Sequence, residues 1–388
     1  MLNHRMGGDE LEEVRAVGDC PENRLTQIDG AHTVRVWSKF SFPGRGGAYS
    51  SFTWDHRDFT GTDWDENTGR SDRIYRFTGK RWAPETDPEN GNYDYLMGMD
   101  VDMSNPVVRR ENEKWLRWYL DETGIDGLRL DAVKHISFPF YRDLLRRLRT
   151  AGYPNLPAVV EYWSGDLQKL LHYLDAVDNA MSLFDVSLHY HFFQAGQAGA
   201  DFDLRTVFED PLVSARPSNA VTFVDNHDTQ HGQSLESFVA DWFKPLAYAL
   251  VLRQDGVPCV FYSDYYGNPV KNRPLVPNLG KMIKIRHAYA YGVQEDYFDD
   301  PHCVGWVRRG DRQHPASGLA VVLSNAEGGT KRMKMGRRYA GERFHDALGN
   351  CPEPVTIGAD GWGEFRCEGG SVSVWMRDSA FEDLVVNE

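Results

Sequence analysis

The chain has 388 residues, which is enough for two or three domains with a sizeable buried core and excludes a small stapled scaffold. Its 43 Lys and Arg residues against 57 Asp and Glu residues give a net charge of -14, which argues against nucleic acid as a partner. The apolar run at 247–252 is far shorter than the roughly 20 residues of a membrane-spanning helix. We therefore expect a soluble protein without a membrane partner.

The cysteines and the N-terminal sequence bear on the cellular compartment. Five cysteines without CxxC spacing argue against a disulfide framework or a zinc cluster, so we expect free thiols. The first residues form a polar run without the apolar core of a secretory signal. Two interpretations follow: the protein stays inside the cell, which we favour slightly over secretion, or its natural start is missing.

Residues 5–105 lack helical periodicity and are rich in turn clusters and aromatic side chains, which predicts an irregular, strand-and-loop domain. From Pro106 onward, helices and short apolar strands alternate up to residue 292, a pattern typical of parallel βα units. The predicted helices are 107–122, 140–150, 166–174, 242–254 and 279–290. The predicted strands are 125–130, 158–161, 181–186, 220–224 and 259–262.

Residues 293–388 contain short alternating segments with Gly-rich turns, which predicts an antiparallel β-sandwich. Its strands include 319–324, 354–357 and 371–376. The five βα strands before it fit either an open sheet or part of an eight-stranded barrel whose first units are absent.

Acidic residues end three of the predicted parallel strands. Asp131 follows Gly-Leu-Arg-Leu, Glu161 follows Ala-Val-Val, and Asp228 closes the run Val-Asp-Asn-His-Asp. The carboxyl ends of barrel strands converge on one face, so three carboxylates there indicate glycoside hydrolysis or a metal site. For any one of them a helix cap or a surface acid is the more common role.

Neighbouring residues distinguish the roles of these acids. Arg129, two residues before Asp131 on the same strand face, should keep that carboxylate ionised, which suits a nucleophile. Glu161 precedes Tyr162 and Trp163, surroundings that should raise the pKa of its carboxyl and suit a general acid and base. Asp228 is then expected to bind sugar hydroxyls and favour an oxocarbenium-like transition state.

The segments GLRLDAVKH, VVEYW and FVDNHDTQ, in this order, closely resemble those of the α-amylase family, glycoside hydrolase family 13. The resemblance is to the bacterial liquefying and cytoplasmic enzymes, and it continues through NHRMGGDE, GTDWDE, GNYDYLMG and WFKPLAYAL. It implies an endo-acting hydrolase of α-1,4-glucosidic bonds in starch, with Asp131, Glu161 and Asp228 in the roles argued above.

Substrate contacts are also implied by the resemblance. Arg129 and His227 match residues that line the cleavage subsite, and His4 matches a sugar-binding histidine. Lys134 and Trp163 match residues near the leaving-group sugars, although a packing role is about as common for such side chains.

The resemblance further implies one structural calcium ion. Its matching ligands are Asn3, Asp94, Asp100 and the backbone carbonyl of His135, all hard oxygen donors. Asp100 and Asp102 could instead form a solvated acidic turn. Thr60, Ala83 and Ser104 stand where some secreted relatives have acidic ligands, so we expect the additional metals of those relatives to be absent.

The resemblance to the family starts at residue 2, which matches the end of the third barrel strand in the relatives. The expected fold is therefore an incomplete (β/α)8 TIM-type barrel of about five strands, with an irregular inserted β-rich domain and a C-terminal antiparallel β-sandwich. The expected segments are a strand remnant at 1–4, the insertion at 5–105, the partial barrel at 106–292 and the sandwich at 293–388.

An incomplete barrel exposes strand edges and apolar surface, so we expect a homo-oligomer that covers them, unless the sequence is a fragment of an ordinary enzyme. Two other functions stay open. One is a truncated, catalytically weak glucan-binding protein, and the other is a transglycosylase of the same family, in which a sugar hydroxyl intercepts the covalent intermediate.

Overall fold

A computed structural model describes residues 4–5, 7–253, 255–269 and 273–386, with side chains up to residue 384. The chain divides into two units. The first runs to Ser164 and resumes over Gln168–Phe184, and the second comprises Gly165–Leu167 and the residues from Asp185 onward. Among the described helices, none has both the length and the apolar character required to cross a bilayer.

The first unit begins with a six-stranded antiparallel sheet in the order β1-β6-β4-β5-β2-β3. Its strands are β1 (His4–Arg5), β2 (Glu10–Cys20), β3 (Asn23–Lys39), β4 (Phe59–Thr62), β5 (Ile74–Phe77) and β6 (Met99–Val101). Strands β2 and β3 form a long hairpin with Val14 opposite Val34. In the second half of β3, Val34, Val36 and Ser38 are buried and alternate with exposed residues, the two-residue period of a sheet with one covered face. The domain predicted as irregular thus contains a regular sheet.

Helices and parallel strands follow in the first unit. Helix α1 is Pro106–Thr123, α2 is Phe138–Thr150 and α3 is Leu167–Ala176. Asn105 caps α1 by accepting a hydrogen bond from the Val107 N–H, and Gly124 ends the helix in the left-handed conformation with φ 62°. Strands β7 (Leu128–Leu130), β8 (Ala158–Val160) and β9 (Ser182–Phe184) are parallel neighbours in that order.

The second unit opens with its own helices and parallel strands. Its helices are α4 (Val186–Ala198), α5 (Leu212–Ala215), α6 (Lys244–Val251), α7 (Tyr262–Tyr266) and α8 (Leu279–Tyr289). Strands β10 (Ala220–Phe223) and β11 (Val257–Cys259) pair in parallel, with Val221 opposite Val257. Every residue of β10 is buried, as expected for a strand covered on both faces.

The C-terminal part of the second unit is an antiparallel sandwich. Strands β12 (Gln294–Tyr297), β13 (Cys303–Arg308), β14 (Leu319–Ser324), β15 (Gly328–Lys334), β16 (Arg343–Asp346), β17 (Val355–Thr356), β18 (Trp362–Glu368) and β19 (Val372–Arg377) precede α9 (Asp378–Val386). A six-stranded sheet has the order β12-β13-β14-β19-β16-β17, and β15 pairs with β18. Val307, Phe365 and Trp375 belong to one buried core contributed by both sheets. The predicted C-terminal β-sheet domain is therefore present.

Three sequence predictions differ from the observed elements. The strand predicted at 181–186 ends at Phe184, because the Asp185 carboxylate accepts the Leu188 N–H and caps α4. The apolar run near residue 260 is shifted, with β11 ending at Cys259 and α7 occupying Tyr262–Tyr266. The strand predicted at 125–130 is confined to Leu128–Leu130. The five cysteines are free, as predicted: Cys20, Cys259, Cys303, Cys351 and Cys367.

Candidate active site

In the first unit, two of the three predicted catalytic acids are grouped around one arginine. Asp131 follows β7 and Glu161 follows β8, and these strands are parallel neighbours with Leu130 opposite Val160. The Arg129 guanidinium contacts the Asp131 carboxylate and lies 3.7 Å from Glu161 Oε2. The predicted charge pair between Arg129 and Asp131 is present.

The Glu161 side chain is buried and is held by a backbone hydrogen bond. The residue is only 8% exposed, and its Oε2 accepts a 2.9 Å hydrogen bond from the Ala132 N–H. The backbone also links the two strand ends, since Glu161 N–H donates to the Leu130 carbonyl and Val133 N–H donates to the Glu161 carbonyl. Ala132, whose N–H makes this hydrogen bond, has a left-handed backbone with φ 49°, which a non-glycine residue rarely adopts.

An acid that the sequence analysis missed, Asp87, is hydrogen-bonded to the residue that follows Glu161. Asp87 is fully buried and accepts a 2.6 Å hydrogen bond from the Tyr162 hydroxyl, while Lys169 Nζ lies 3.3 Å away. Burial alone would raise the pKa of Asp87, but the Tyr162 hydrogen bond and Lys169 bring that pKa below its usual value. Asp87 N–H donates to the Lys134 carbonyl. Asp87 thus connects Tyr162 to the turn at Lys134. Its hydrogen bond with Tyr162 spans 75 positions, so no local sequence pattern indicates it.

Three further residues predicted to contact the substrate lie in the first unit: Trp163, Lys134 and His4. Trp163 is 8% exposed, and its carbonyl lies 3.4 Å from Lys134 Nζ. Lys134 Nζ also lies 3.3 Å from Glu89 Oε2 and sits over the Tyr93 ring. His4 is in β1, opposite Asp100 of β6, and burial lowers the pKa of its imidazole.

In the second unit, the third predicted acid lies on a loop that follows β10. His227 Nε2 lies 3.2 Å from Asp228 Oδ2, and the His227 side chain is largely exposed. The Asn226 side chain accepts hydrogen bonds from the backbone N–H groups of Asp228 and Thr229, at 2.8 and 3.0 Å. This Asx turn fixes the backbone at Asp228 and leaves the carboxylate partly exposed.

The same loop is anchored by His189 of α4, which the sequence analysis also missed. His189 Nδ1 lies 2.6 Å from the Val224 carbonyl and Nε2 lies 2.8 Å from Ser237 Oγ. A carbonyl can only accept, so Nδ1 carries the proton. Burial lowers the pKa of His189 to about 4, which keeps the ring neutral at neutral pH.

Two of the predicted calcium ligands form a buried acidic pair. Asp94 is 7% and Asp100 is 1% exposed, and neither carboxylate oxygen of Asp100 has a hydrogen-bond partner in the described part of the chain. Burial raises the pKa of Asp100 well above its usual value, and the charge of Asp94 adds to that shift. His135 Nδ1 lies 2.8 Å from the carbonyl of Tyr93, next to Asp94. Asn3 lies outside the described residues.

The alternative of a solvated acidic turn at Asp100 and Asp102 is wrong. Both residues are buried, and Asp102 Oδ2 accepts a 2.6 Å hydrogen bond from Lys80 Nζ. No group of three or more His, Cys, Asp or Glu side chains in the described ranges is arranged to hold a metal ion. The unpartnered Asp100 oxygens nevertheless fit a cation, provided that backbone carbonyls complete its coordination.

Comparison with known proteins identifies the family. Residues 49–273 match the family description "Alpha amylase, catalytic domain", and residues 319–376 match "Alpha-amylase C-terminal". An α-amylase of Geobacillus stearothermophilus is 49% identical over 380 residues, covering 97% of this chain and 69% of the relative. A glucan 1,4-alpha-maltohexaosidase of Bacillus sp. (strain 707) is 47% identical over 381 residues, covering 97% and 74%.

A cytoplasmic α-amylase of Escherichia coli (strain K12) is 41% identical over 393 residues, covering 97% of this chain and 79% of that protein. Among solved structures, an Anoxybacillus α-amylase matches with a TM-score of 0.58 at 18% identity, over 73% of this chain and 66% of the other, which supports the fold alone. The family match over more than half of the chain and the identity of nearly one half over 97% of it lead to one conclusion: this chain belongs to the α-amylase family and is a glycoside hydrolase.

Proposed function

We propose that the protein hydrolyses internal α-1,4-glucosidic bonds of starch and related glucans with retention of anomeric configuration. The observation that carries this proposal is the grouping of Asp131 and Glu161 around Arg129 at the ends of two neighbouring parallel strands. The names of the relatives support the substrate class, since several are α-amylases and one is a 1,4-α-maltohexaosidase.

The proposed mechanism uses the two carboxyl groups in a double displacement. In the first step Asp131 attacks the anomeric carbon, the glycosidic C–O bond breaks, and Glu161 gives its proton to the leaving oxygen. In the second step Glu161 takes a proton from water, which attacks the same carbon and releases Asp131. Arg129 keeps Asp131 ionised for the attack.

The other proposed roles concern binding. Asp228, oriented by its Asx turn and paired with His227, holds sugar hydroxyls as positive charge develops on the ring. His4, Lys134 and Trp163 are proposed as further substrate contacts. Trp163 is 8% exposed, so only a small part of its side chain can contact the substrate.

We also propose one structural calcium ion, held by Asp94, Asp100 and the His135 carbonyl, with Asn3 as a further ligand. Two adjacent buried carboxylates are costly unless a cation or protons neutralise them. A bound ion would supply that charge and link β6 to the turn at His135.

Within the fold we propose that β7–β9 and β10–β11, each with its following helices, are βα units of the TIM-barrel type. Their parallel pairing and the acids at their carboxyl ends support this assignment. The cytoplasm is the proposed compartment, because the name of the E. coli relative places that protein there. Cell fractionation with an antibody against the chain tests it.

A further proposal is that copies of the chain associate through α1. Val107, Trp115, Trp118 and Tyr119 are each about two fifths exposed, and the two tryptophans line a cavity of about 870 Å³ in the first unit. An exposed apolar surface of this kind marks an interaction site. The cavity wall contains both basic and acidic side chains, among them Arg45, Lys114 and Glu111, which can pair with charged groups of a second copy.

The test of the activity is reducing-sugar release from soluble starch by the purified chain. We expect release by the parent and a loss of at least about 1,000-fold in Glu161→Gln and in Asp131→Asn, because each variant lacks one partner of the double displacement. Replacing Cys351, which is buried in the sandwich, is the control and should leave the rate unchanged.

Starch binding without release by a folded parent would instead support a glucan-binding protein. Longer oligosaccharides in place of new reducing ends would support a transglycosylase. Equal release by Asp131→Asn and the parent would contradict the assigned nucleophile.

A further inference from the structure

The loop that carries Asp228 begins at a buried cluster of charged side chains. Asp225 follows β10, Lys244 is the first residue of α6, and Asp264 lies in α7. These three residues are 2%, 3% and 4% exposed. None of them takes part in the mechanism proposed above.

Lys244 is the centre of this cluster. Its Nζ lies 2.9 Å from Asp225 Oδ2 and 2.5 Å from Asp264 Oδ1, and it sits over the Phe238 ring at 4.1 Å. The Tyr248 hydroxyl donates a 2.7 Å hydrogen bond to Asp264 Oδ2. A single buried ammonium group thus joins the end of β10 to α6 and α7.

The cluster is connected to Asp228 by a continuous series of hydrogen bonds. The Thr229 hydroxyl donates to Asp225 Oδ1 at 2.9 Å and accepts from the Asn226 N–H at 3.0 Å. The Asn226 side chain in turn accepts from the N–H groups of Thr229 and Asp228. Four hydrogen bonds therefore fix the backbone of Asp228 relative to Asp225, which Lys244 holds.

Burying an ammonium group and two carboxylates is expensive, and well-packed apolar side chains of similar volume stabilise a fold at least as well. Stability alone therefore does not explain the cluster, whereas a role in positioning other residues does. We propose that Lys244, through Asp225 and Thr229, is a positioning residue that sets the orientation of the Asp228 carboxylate. The inference rests on the function proposed for Asp228.

The test has to separate positioning from stability. Lys244→Met would leave two buried carboxylates without their cation and would unfold the protein, so Asp225→Asn is the better variant. It leaves Lys244 and Asp264 as a balanced pair. An amide cannot accept from both Lys244 and Thr229. With Oδ1 toward Thr229 the Lys244 contact is lost, and with Oδ1 toward Lys244 the amide N–H has to donate to the Thr229 hydroxyl, which reverses that hydrogen bond.

Thr229→Val breaks the same connection at its next step, and Thr229→Ser restores the hydroxyl. The matched control is Asp346→Asn in the sandwich. Asp346 is 5% exposed and accepts hydrogen bonds from the N–H groups of Leu348, Asn350, Cys351 and Val374. This variant reports what the loss of a buried carboxylate does to stability alone.

We would measure kcat and KM for soluble starch, together with the melting temperature, for the parent and each variant. In Asp225→Asn and Thr229→Val we expect kcat to fall about 10- to 100-fold with KM within about twofold, because misplacing a reacting group by about 1 Å has that effect. Thr229→Ser should recover most of kcat. Asp346→Asn should lower the melting temperature and leave kcat unchanged.

The proposal is overturned if folded Asp225→Asn and Thr229→Val retain the parental kcat, or if Thr229→Ser is as slow as Thr229→Val. An equal loss of kcat in Asp346→Asn would overturn it as well. A parent that releases no sugar refutes the proposed function, and the positioning role with it. An active parent with normal kcat in all four variants refutes the positioning role alone.

Discussion

At the scale of single residues, the burial of His189 should make the stability of the fold depend on pH. The pKa of its imidazole falls from 6.5 to about 4 because the ring is buried, so the folded protein favours the neutral form. The unfolded chain binds a proton at His189 below pH 6.5 and the folded protein does so only near pH 4, so the free energy of unfolding decreases as the pH falls from 6.5 toward 4. Between neutral pH and pH 4 this decrease is about 3 kcal/mol. Urea unfolding of the parent and of His189→Gln from pH 7 to pH 4 measures it.

The change in stability with pH has to be compared between the parent and His189→Gln, because a second buried group titrates over the same pH range and changes the stability in the opposite direction. Burial raises the pKa of Asp225 to about 6, which favours the folded state as the pH falls from 6 toward 4. We expect the His189→Gln variant to lose less stability than the parent over this range. Parallel curves for the two proteins would contradict the prediction.

At the scale of secondary-structure elements, the Asp185 carboxylate accepts hydrogen bonds from the first turns of two helices. The donors are the Leu188 N–H in α4 and the N–H groups of Leu212 and Val213 in α5. Asp185→Asn places an amide N–H against these donors, and we expect a loss of about 2 kcal/mol of unfolding free energy in urea titrations.

The control is Asp203→Asn. Asp203 also caps a short helical turn, by accepting from the Arg205 N–H, but it lies at the surface, where water replaces the lost hydrogen bond. We expect a loss of at most about 1 kcal/mol there. A larger loss in Asp203→Asn than in Asp185→Asn would argue against the double cap.

At the scale of the whole molecule, calcium is expected to stabilise the fold, because an ion that binds the native state and not the unfolded chain raises the melting temperature. Chelation should therefore lower the melting temperature of the parent. In Asp100→Asn the difference between calcium and chelator should largely disappear. A melting temperature that chelator does not change in the parent would rule out the site at Asp94 and Asp100.

The association of copies is also a property of the whole molecule. Light scattering of the parent should give a mass above the 44.3 kDa of one chain, and Trp115→Arg with Trp118→Arg should reduce it to that value. The two tryptophans are partly exposed on α1, so the substitutions leave its buried side unchanged. A parent of uniform monomeric mass would refute the association.

The sequence by itself determined the class of the protein and its local elements. A short segment in a region of Gly-rich turns predicted the sandwich strand at 319–324, which β14 occupies, and Gly124 predicted the end of α1. The position of Arg129 two residues before Asp131 predicted their contact, because alternate residues of a strand share a face. These features depend on local spacing, which a linear sequence contains.

Only the tertiary structure decided which distant polar groups meet. Lys244 in the apolar run WFKPLAYAL indicates a buried partner, but Asp225 and Asp264 are 19 and 20 positions away on different elements. Asp87 reaches Tyr162 across 75 positions, and His189 reaches Ser237 across 48. A buried charge or hydroxyl requires a partner, yet its identity depends on how strands and helices pack. That packing is settled by the burial of the whole core, to which residues far apart in the sequence contribute.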